Sequence, residues 1–189
     1  MNEIRLIRNQ LAAERQHAMA VVSAWAGALT QAGPHAAPGG SVLEAFGQAC
    51  VEYLGGVLAR FDARDERLAE LYARLPADDP ARGAVNEALA GRGRGCEALE
   101  RLESVLARHP GPARAGGPSG DCQELVHYFN TAWNARRAAI EALLAQISRV
   151  TEWRAIGGID ADSILEERVR YTRVRDRLPA GIELPARVP

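Results

Sequence analysis

The sequence predicts an all-α protein, an antiparallel four-helix bundle followed by a short additional C-terminal helix. Three observations point that way. Aromatic residues make up only 5% of the chain, and Val and Ile are outnumbered by Ala and Leu, which is a poor composition for strands and a good one for helices. Long stretches repeat apolar residues at steps of three and four, the spacing of a one-sided helix. Two segments rich in Pro and Gly, 33–40 and 109–120, interrupt those stretches, and no helix continues through such a run.

The first helix is expected from about Asn2 to Gln31, on the stripe Ile4, Ile7, Leu11, Glu14, Ala18, Val21, Trp25 and Ala28. The second begins at Ser41 with Glu44 three residues on, a capping box. It runs to about Leu75 on Leu43, Phe46, Cys50, Tyr53, Val57, Phe61, Asp65, Leu68 and Tyr72. Asp79 followed by Pro80 is an N-cap with proline at the first helical position, and opens a third helix to about Arg108. Its stripe is Val85, Leu89, Cys96, Leu99, Leu102 and Leu106, weakened by three glycines between Gly91 and Gly95. Asp121 with Glu124 forms another capping box, ahead of a fourth helix to about Val150 on Leu125, Phe129, Trp133, Ile140, Leu144 and Ile147. After Gly157 and Gly158, Ser163 with Glu166 caps a short fifth helix to about Arg177. The bundle is expected over 1–154, with a linker, the short helix and a tail over 155–189. The length, 189 residues, suits one domain.

A formal net charge of −1 gives no reason to expect nucleic acid or an anionic membrane surface as partner. No apolar run approaches the roughly 18 residues of a membrane span, and the N-terminus lacks the apolar stretch of a signal peptide. A cytoplasmic protein is expected. All 23 basic residues are arginine, which tolerates burial and binds carboxylates bidentately. Cys50, Cys96 and Cys122 are far apart with no zinc spacing, and read as reduced thiols on or beside apolar faces. No glycine-rich elbow surrounds a Ser or Cys, and no phosphate-binding loop is present.

A buried ionisable group is costly unless it is paired or bound to a metal, so charges on apolar stripes mark the places to look. Glu14 stands on the first stripe with His17 one turn on. Asp65 stands on the second, with Asp62 one turn earlier. Glu124 and His127 repeat Glu-x-x-His on the fourth helix, a spacing that places a carboxylate and an imidazole on one face, as di-iron carboxylate bundles do. Glu14, His17, Asp62, Asp65, Glu124 and His127 are therefore the candidate metal ligands. The alternative is structural: Glu14 pairs with Arg15, Arg60 or Arg64, Asp62 belongs to a solvated charged face, and Glu124 serves as a cap. His35 and His109 fall in linkers.

The segment from Arg60 to Leu68, Arg-Phe-Asp-Ala-Arg-Asp-Glu-Arg-Leu, resembles the His-Phe-x-x-Glu-Glu-x-x-Leu pattern of the hemerythrin-like, HHE cation-binding bundles. Leu11 to Ala18 is similar to their first Glu-His helix, and helix order and lengths agree over roughly residues 1–150. The resemblance implies the fold. Its ligand positions here, however, hold Arg15 and Arg60 in place of histidines and Arg64 in place of a carboxylate, and Trp133 to Arg137 lacks His-x-x-x-Glu. Since arginine cannot bind a metal, the usual di-iron centre is not expected.

Three functions follow. The first is a bundle without a cofactor that acts as an interaction or sensing module, its arginines holding Glu14 and Asp65 or a small anion. The second is a redrawn site for iron or another divalent metal, serving oxygen, peroxide or iron handling. The third is a shelter for an apolar or anionic small molecule, with room sought near Gly91 to Gly95. The partner is expected to be an unidentified protein or a second copy of the chain, through Ile164, Leu165, Val169 and Val174.

Overall fold

The computed structural model describes residues 2–32, 41–107, 117–143 and 161–184. Those residues form six helices and no strand: α1 (Asn2–Ala32), α2 (Ser41–Arg74), α3 (Ala81–Ala90), α4 (Arg94–Ala107), α5 (Gly117–Leu143) and α6 (Ala161–Asp176). The first two agree with the sequence reading to within a residue. At the α2–α3 turn the Asp79 carboxylate accepts the Ala81 N–H at 2.8 Å, the cap expected of it. Arg82 then reaches back, donating to the Leu75 carbonyl at 2.8 Å while its guanidinium lies 4.1 Å from the centre of the Tyr72 ring. The end of α2 is thereby satisfied by a side chain of the next helix.

Three boundaries differ from expectation. The single third helix is two, because Gly93 takes φ +85, a conformation that ends α3 and lets α4 start afresh. Helix α5 begins at Gly117, so Asp121 lies inside it and is not a cap; Asp121 and Glu124 both accept hydrogen bonds from Arg101 of α4 instead. Helix α6 begins at Ala161, two residues before the expected cap Ser163. Leu144, Ile147, His35 and His109 lie outside the described residues, as do the side chains of Ile4, Ile7 and Leu106.

Helix α1 packs on α2 and α5, α2 on α3 and α4, and both of these on α5; α6 lies against α2. The apolar stripes meet in two clusters. The larger joins Val21 and Trp25 of α1, Phe46 and Val57 of α2, Leu102 of α4, Phe129 of α5 and Val174 of α6. The smaller joins Leu11, Leu68, Val85 and Ile140. Gly95 lets α4 sit close, since a Cβ there would fall 2.5 Å from both Leu58 Cδ2 and Tyr128 Cε1. The room expected around these glycines is thus closed at Gly95.

By length and composition alone, Val42–Arg74 is apolar enough to cross a membrane; half of its most apolar stretch is buried inside the fold, as in the core helix of a globular protein.

Candidate functional site: a buried arginine–carboxylate layer

The two apolar clusters are separated by charge. In chain order, Glu14 lies between Leu11 and Ala18, Arg64 and Asp65 between Phe61 and Leu68, and Arg136 between Phe129 and Ile140. All four are buried. Steps of three and four put them on the same face as the apolar residues of their stripes, and the break between α3 and α4 falls in the corresponding gap between Ala88 and Ala98.

Glu14 is held from two sides. Arg60 Nε donates to Oε1 at 2.5 Å, and Arg64 Nη1 lies 2.7 Å from Oε2. Asp65 is held by Arg136, through Nε to Oδ1 at 2.8 Å and through a second, shorter contact from Nη2 to Oδ2. This fork-on-fork geometry is the strongest neutralisation that a buried carboxylate can receive from one side chain. The Arg136 guanidinium also lies 4.8 Å from the centre of the Phe61 ring, and that of Arg64 5.6 Å from it. Burial nonetheless pushes the Asp65 carboxyl up from its usual 3.8, against the opposing pull of the Arg136 hydrogen bonds and charge.

Helix α6 brings a further acid into the same region. Glu167 is buried, with Oε1 accepting from the Tyr53 hydroxyl at 3.5 Å and lying 3.6 Å from His17 Nδ1. Its Oε2 is 3.9 Å from Arg60 Nη2, so Arg60 links Glu167 to Glu14. Tyr171 stacks at a tilt on His17, with ring centres 4.8 Å apart. Burial pushes the Tyr53 hydroxyl well above 10, and the Glu167 and Glu14 carboxylates push it the same way. It is therefore a neutral donor at physiological pH.

The six candidate ligands do not come together. Glu14 and His17 share the buried region with Glu167, and Asp65 is engaged by Arg136. Asp62, half-buried, accepts from Cys96 Sγ at 3.7 Å. Glu124 and His127 are exposed on α5, and Glu124 is 2.6 Å from Arg101 Nη2. Among the described residues no three His, Cys, Asp or Glu side chains converge as a metal-binding group. Arginines occupy the space around the two central carboxylates, Glu14 and Asp65, the pairing expected of Glu14 in the structural alternative.

The thiols offer no nucleophile. Burial pushes Cys50 well above 9.0 and Cys122 up to about 12, and burial followed by the Asp62 charge raises Cys96. A thiol without a nearby cation to lower its pKa stays protonated and inert.

Arg136 and Glu167 are the two site residues that the sequence reading missed. Both were legible. Phe129, Trp133, Arg136 and Ile140 continue the α5 stripe at steps of four, three and four, and Glu167, Tyr171 and Val174 form a stripe of their own. A search restricted to metal-ligating residue types passes over the first, and an α6 face drawn through Leu165 and Val169 passes over the second. Leu165 and Val169 are in fact 59% and 44% exposed.

A cavity of about 360 Å³ opens beside the layer, between α1, α2 and α5. Phe61, Leu68 and Ile140 line its apolar interior with Arg64 and Arg136 among them, and Arg15 and Trp133 flank it. Comparison with protein families, with characterised proteins and with solved structures finds no match for this chain.

Proposed function

We propose that the chain is a sensing or interaction module built on an antiparallel four-helix bundle of hemerythrin-like helix order, without that family's di-iron centre. The neighbour relations support the bundle: α1 on α2, α2 on α3 and α4, these on α5, and α5 back on α1. In this reading α3 and α4 together supply one helix of the four. Pairings that run in opposite directions along the chain support the antiparallel sense. Arg101 meets Asp121 and Glu124, Gly95 meets Tyr128, and Val85 clusters with Ile140.

The observation that carries the functional reading is the engagement of Glu14 by Arg60 and Arg64 and of Asp65 by Arg136. Two of these arginines stand where the resembling family places metal ligands, and a guanidinium both repels a cation and fills its place. The interior charge is balanced by protein groups, so the bundle folds without a cofactor. A soluble, cytoplasmic protein is the matching setting. Its partner is another protein or a second copy of the chain, engaged through the exposed Leu165 and Val169 one turn apart on α6.

Elemental analysis of protein purified without chelator tests this reading. Iron, manganese and zinc below about 0.2 equivalents per chain, with no rise in melting temperature on adding metal, are expected. Stoichiometric metal that stabilises the fold would replace the proposal with the redrawn carboxylate–histidine site. Sedimentation velocity of wild type against Leu165→Glu reads the self-association surface.

A further inference from the structure

We infer that the cavity between α1, α2 and α5 is a binding site for an amphipathic monocarboxylate, an apolar body of about ten carbons with one anionic head. The inference rests on the sensing-module reading for its biological meaning and on the geometry of the cavity for its chemistry.

The size comes first. At about 30 Å³ per small group, the volume of a water molecule in the liquid, 360 Å³ holds on the order of a dozen non-hydrogen atoms. That is within the usual range of small-molecule pockets. The lining comes second. Leu11, Phe61, Leu68 and Ile140 are buried and apolar, so water inside gains few hydrogen bonds from them, and an alkyl or aryl body displaces it favourably.

The sign and number of the charge come third. Four arginines line the cavity, Arg15, Arg64, Arg136 and Arg137, against one carboxylate, Glu141. Arg64 already faces Glu14, Arg136 faces Asp65, and Arg137 lies 4.0 Å from Glu141. Arg15 is different. It contacts two neutral groups, the Asn130 amide oxygen at 3.0 Å and the Trp133 ring, 6.0 Å to the centroid. No carboxylate of the described residues lies within ion-pairing distance of it. The buried Nε of Arg15 and Nη1 of Arg136 also have no acceptor in hydrogen-bonding geometry. Buried donors of this kind are normally satisfied, and when a protein group does not do so a ligand is the natural acceptor. One guanidinium without an anion calls for one negative charge. A carboxylate supplies it with two in-plane oxygens that match the guanidinium fork. A dianion would exceed the charge available.

Isothermal titration calorimetry of the full chain with sodium decanoate, and with decan-1-ol as the uncharged control, tests the assignment. The expected result is one decanoate per chain, with decan-1-ol bound at least about tenfold more weakly. Arg15→Met keeps the stem and removes the charge. It should weaken decanoate by about tenfold or more and leave decan-1-ol unchanged. Ala12→Phe, which fills the cavity from α1, should abolish both, with circular dichroism confirming that each variant is folded. No decanoate binding up to about 1 mM overturns the site. Equal affinity for acid and alcohol, or an Arg15→Met variant that binds decanoate as wild type does, overturns the anionic head group. Metal content measured on the same preparations reports on the module proposal separately: a stoichiometric metalloprotein that bound decanoate would overturn that proposal and leave this one standing.

Discussion

Replacing Arg136 with Met strips from the buried Asp65 carboxylate the one cation among the described residues that hydrogen-bonds it, leaving the weaker pull of the Arg92 charge, and the cost can be worked from the carboxyl itself. With no counter-ion, Asp65 folds inside only by taking up a proton. Its ordinary value is 3.8. At pH 7 the proton must be bound about three units above that value, at about 1.4 kcal/mol per unit, which sets a ceiling of about 4 kcal/mol. The wild-type carboxyl already sits above 3.8 because of burial, so part of this cost is present before the mutation. The expected loss is about 2–4 kcal/mol, or roughly 4–16 °C in Tm for a chain of this size. The sign with pH follows from the same quantities. Folded Asp65 holds its proton more tightly than unfolded Asp65. Its contribution is therefore fully present below 3.8 and declines as pH rises from 3.8 through the raised folded value. In Arg136→Met that decline should be steeper and extend to higher pH, so the gap to wild type closes as pH falls towards 4. Asp65→Asn leaves the buried Arg136 guanidinium without its counter-ion and unable to shed its proton, and should cost at least as much as Arg136→Met at pH 7. The double variant Asp65→Leu with Arg136→Met should lie within about 1 kcal/mol of wild type, since a buried pair competes poorly with a packed apolar one. Urea unfolding of the four proteins between pH 4 and pH 8 measures all of this. An Arg136→Met gap that does not change with pH would refute the reasoning, and so would an Asp65→Asn variant as stable as wild type.

Other perturbations read other parts of the fold. Gly95→Ala forces a Cβ to within 2.5 Å of Leu58 and Tyr128 and should cost about 1–3 kcal/mol in urea unfolding, whereas Gly83→Ala meets nothing within 4 Å and should gain about 0.5–1 kcal/mol. If both glycines behave alike, the close approach of α4 is not as described. Glu167→Gln weakens the contacts to Tyr53, His17 and Arg60, and should raise hydrogen exchange across α6 by about 1–3 kcal/mol of protection while sparing Val21 to Trp25. Unchanged α6 protection would show that Glu167 does not anchor the helix. At pH 8 a thiol reagent should leave Cys50 and Cys122 unmodified in native protein and react with all three cysteines in urea; rapid native labelling of Cys122 would contradict its burial.

Most of the fold was legible because it rests on periodicity. The stripe from Leu11 to Ala28 on α1 and that from Phe46 to Leu68 on α2 are the buried faces, Glu14 and Asp65 included. Boundaries were less legible where two rules competed. Asp121 and Glu124 have the spacing of a cap, yet Gly117-Pro118 starts the helix earlier and frees both acids to meet Arg101. Three glycines in five residues signalled a weak helix, while the left-handed turn at Gly93 that ends it is a backbone choice no side chain announces. For the site, the sequence marked which carboxylates are inside but not which arginine reaches which. Arg60 and Arg64 stood among the arginines open to Glu14, although 46 and 50 residues separate them from it. Arg136 pairs with Asp65 across 71 residues, and Glu167 with Tyr53 across 114, and such distances are set only when the helices dock.

The charged layer also decides how the helices can align. Stripes built largely of Ala and Leu tolerate sliding, because one small or branched apolar residue replaces another at each turn. Glu14, Arg64, Asp65 and Arg136 do not. If α2 moved by one turn towards its N-terminus relative to α1, Leu68 would stand where Arg64 now meets Glu14. The Asp65 carboxylate would likewise leave the reach of Arg136. Each slip would bury charge against hydrocarbon, at several kcal/mol per ion. A layer that adds little to stability can therefore select a single alignment, and it does so at the level where the chain on the far side, between α3 and α4, is itself interrupted.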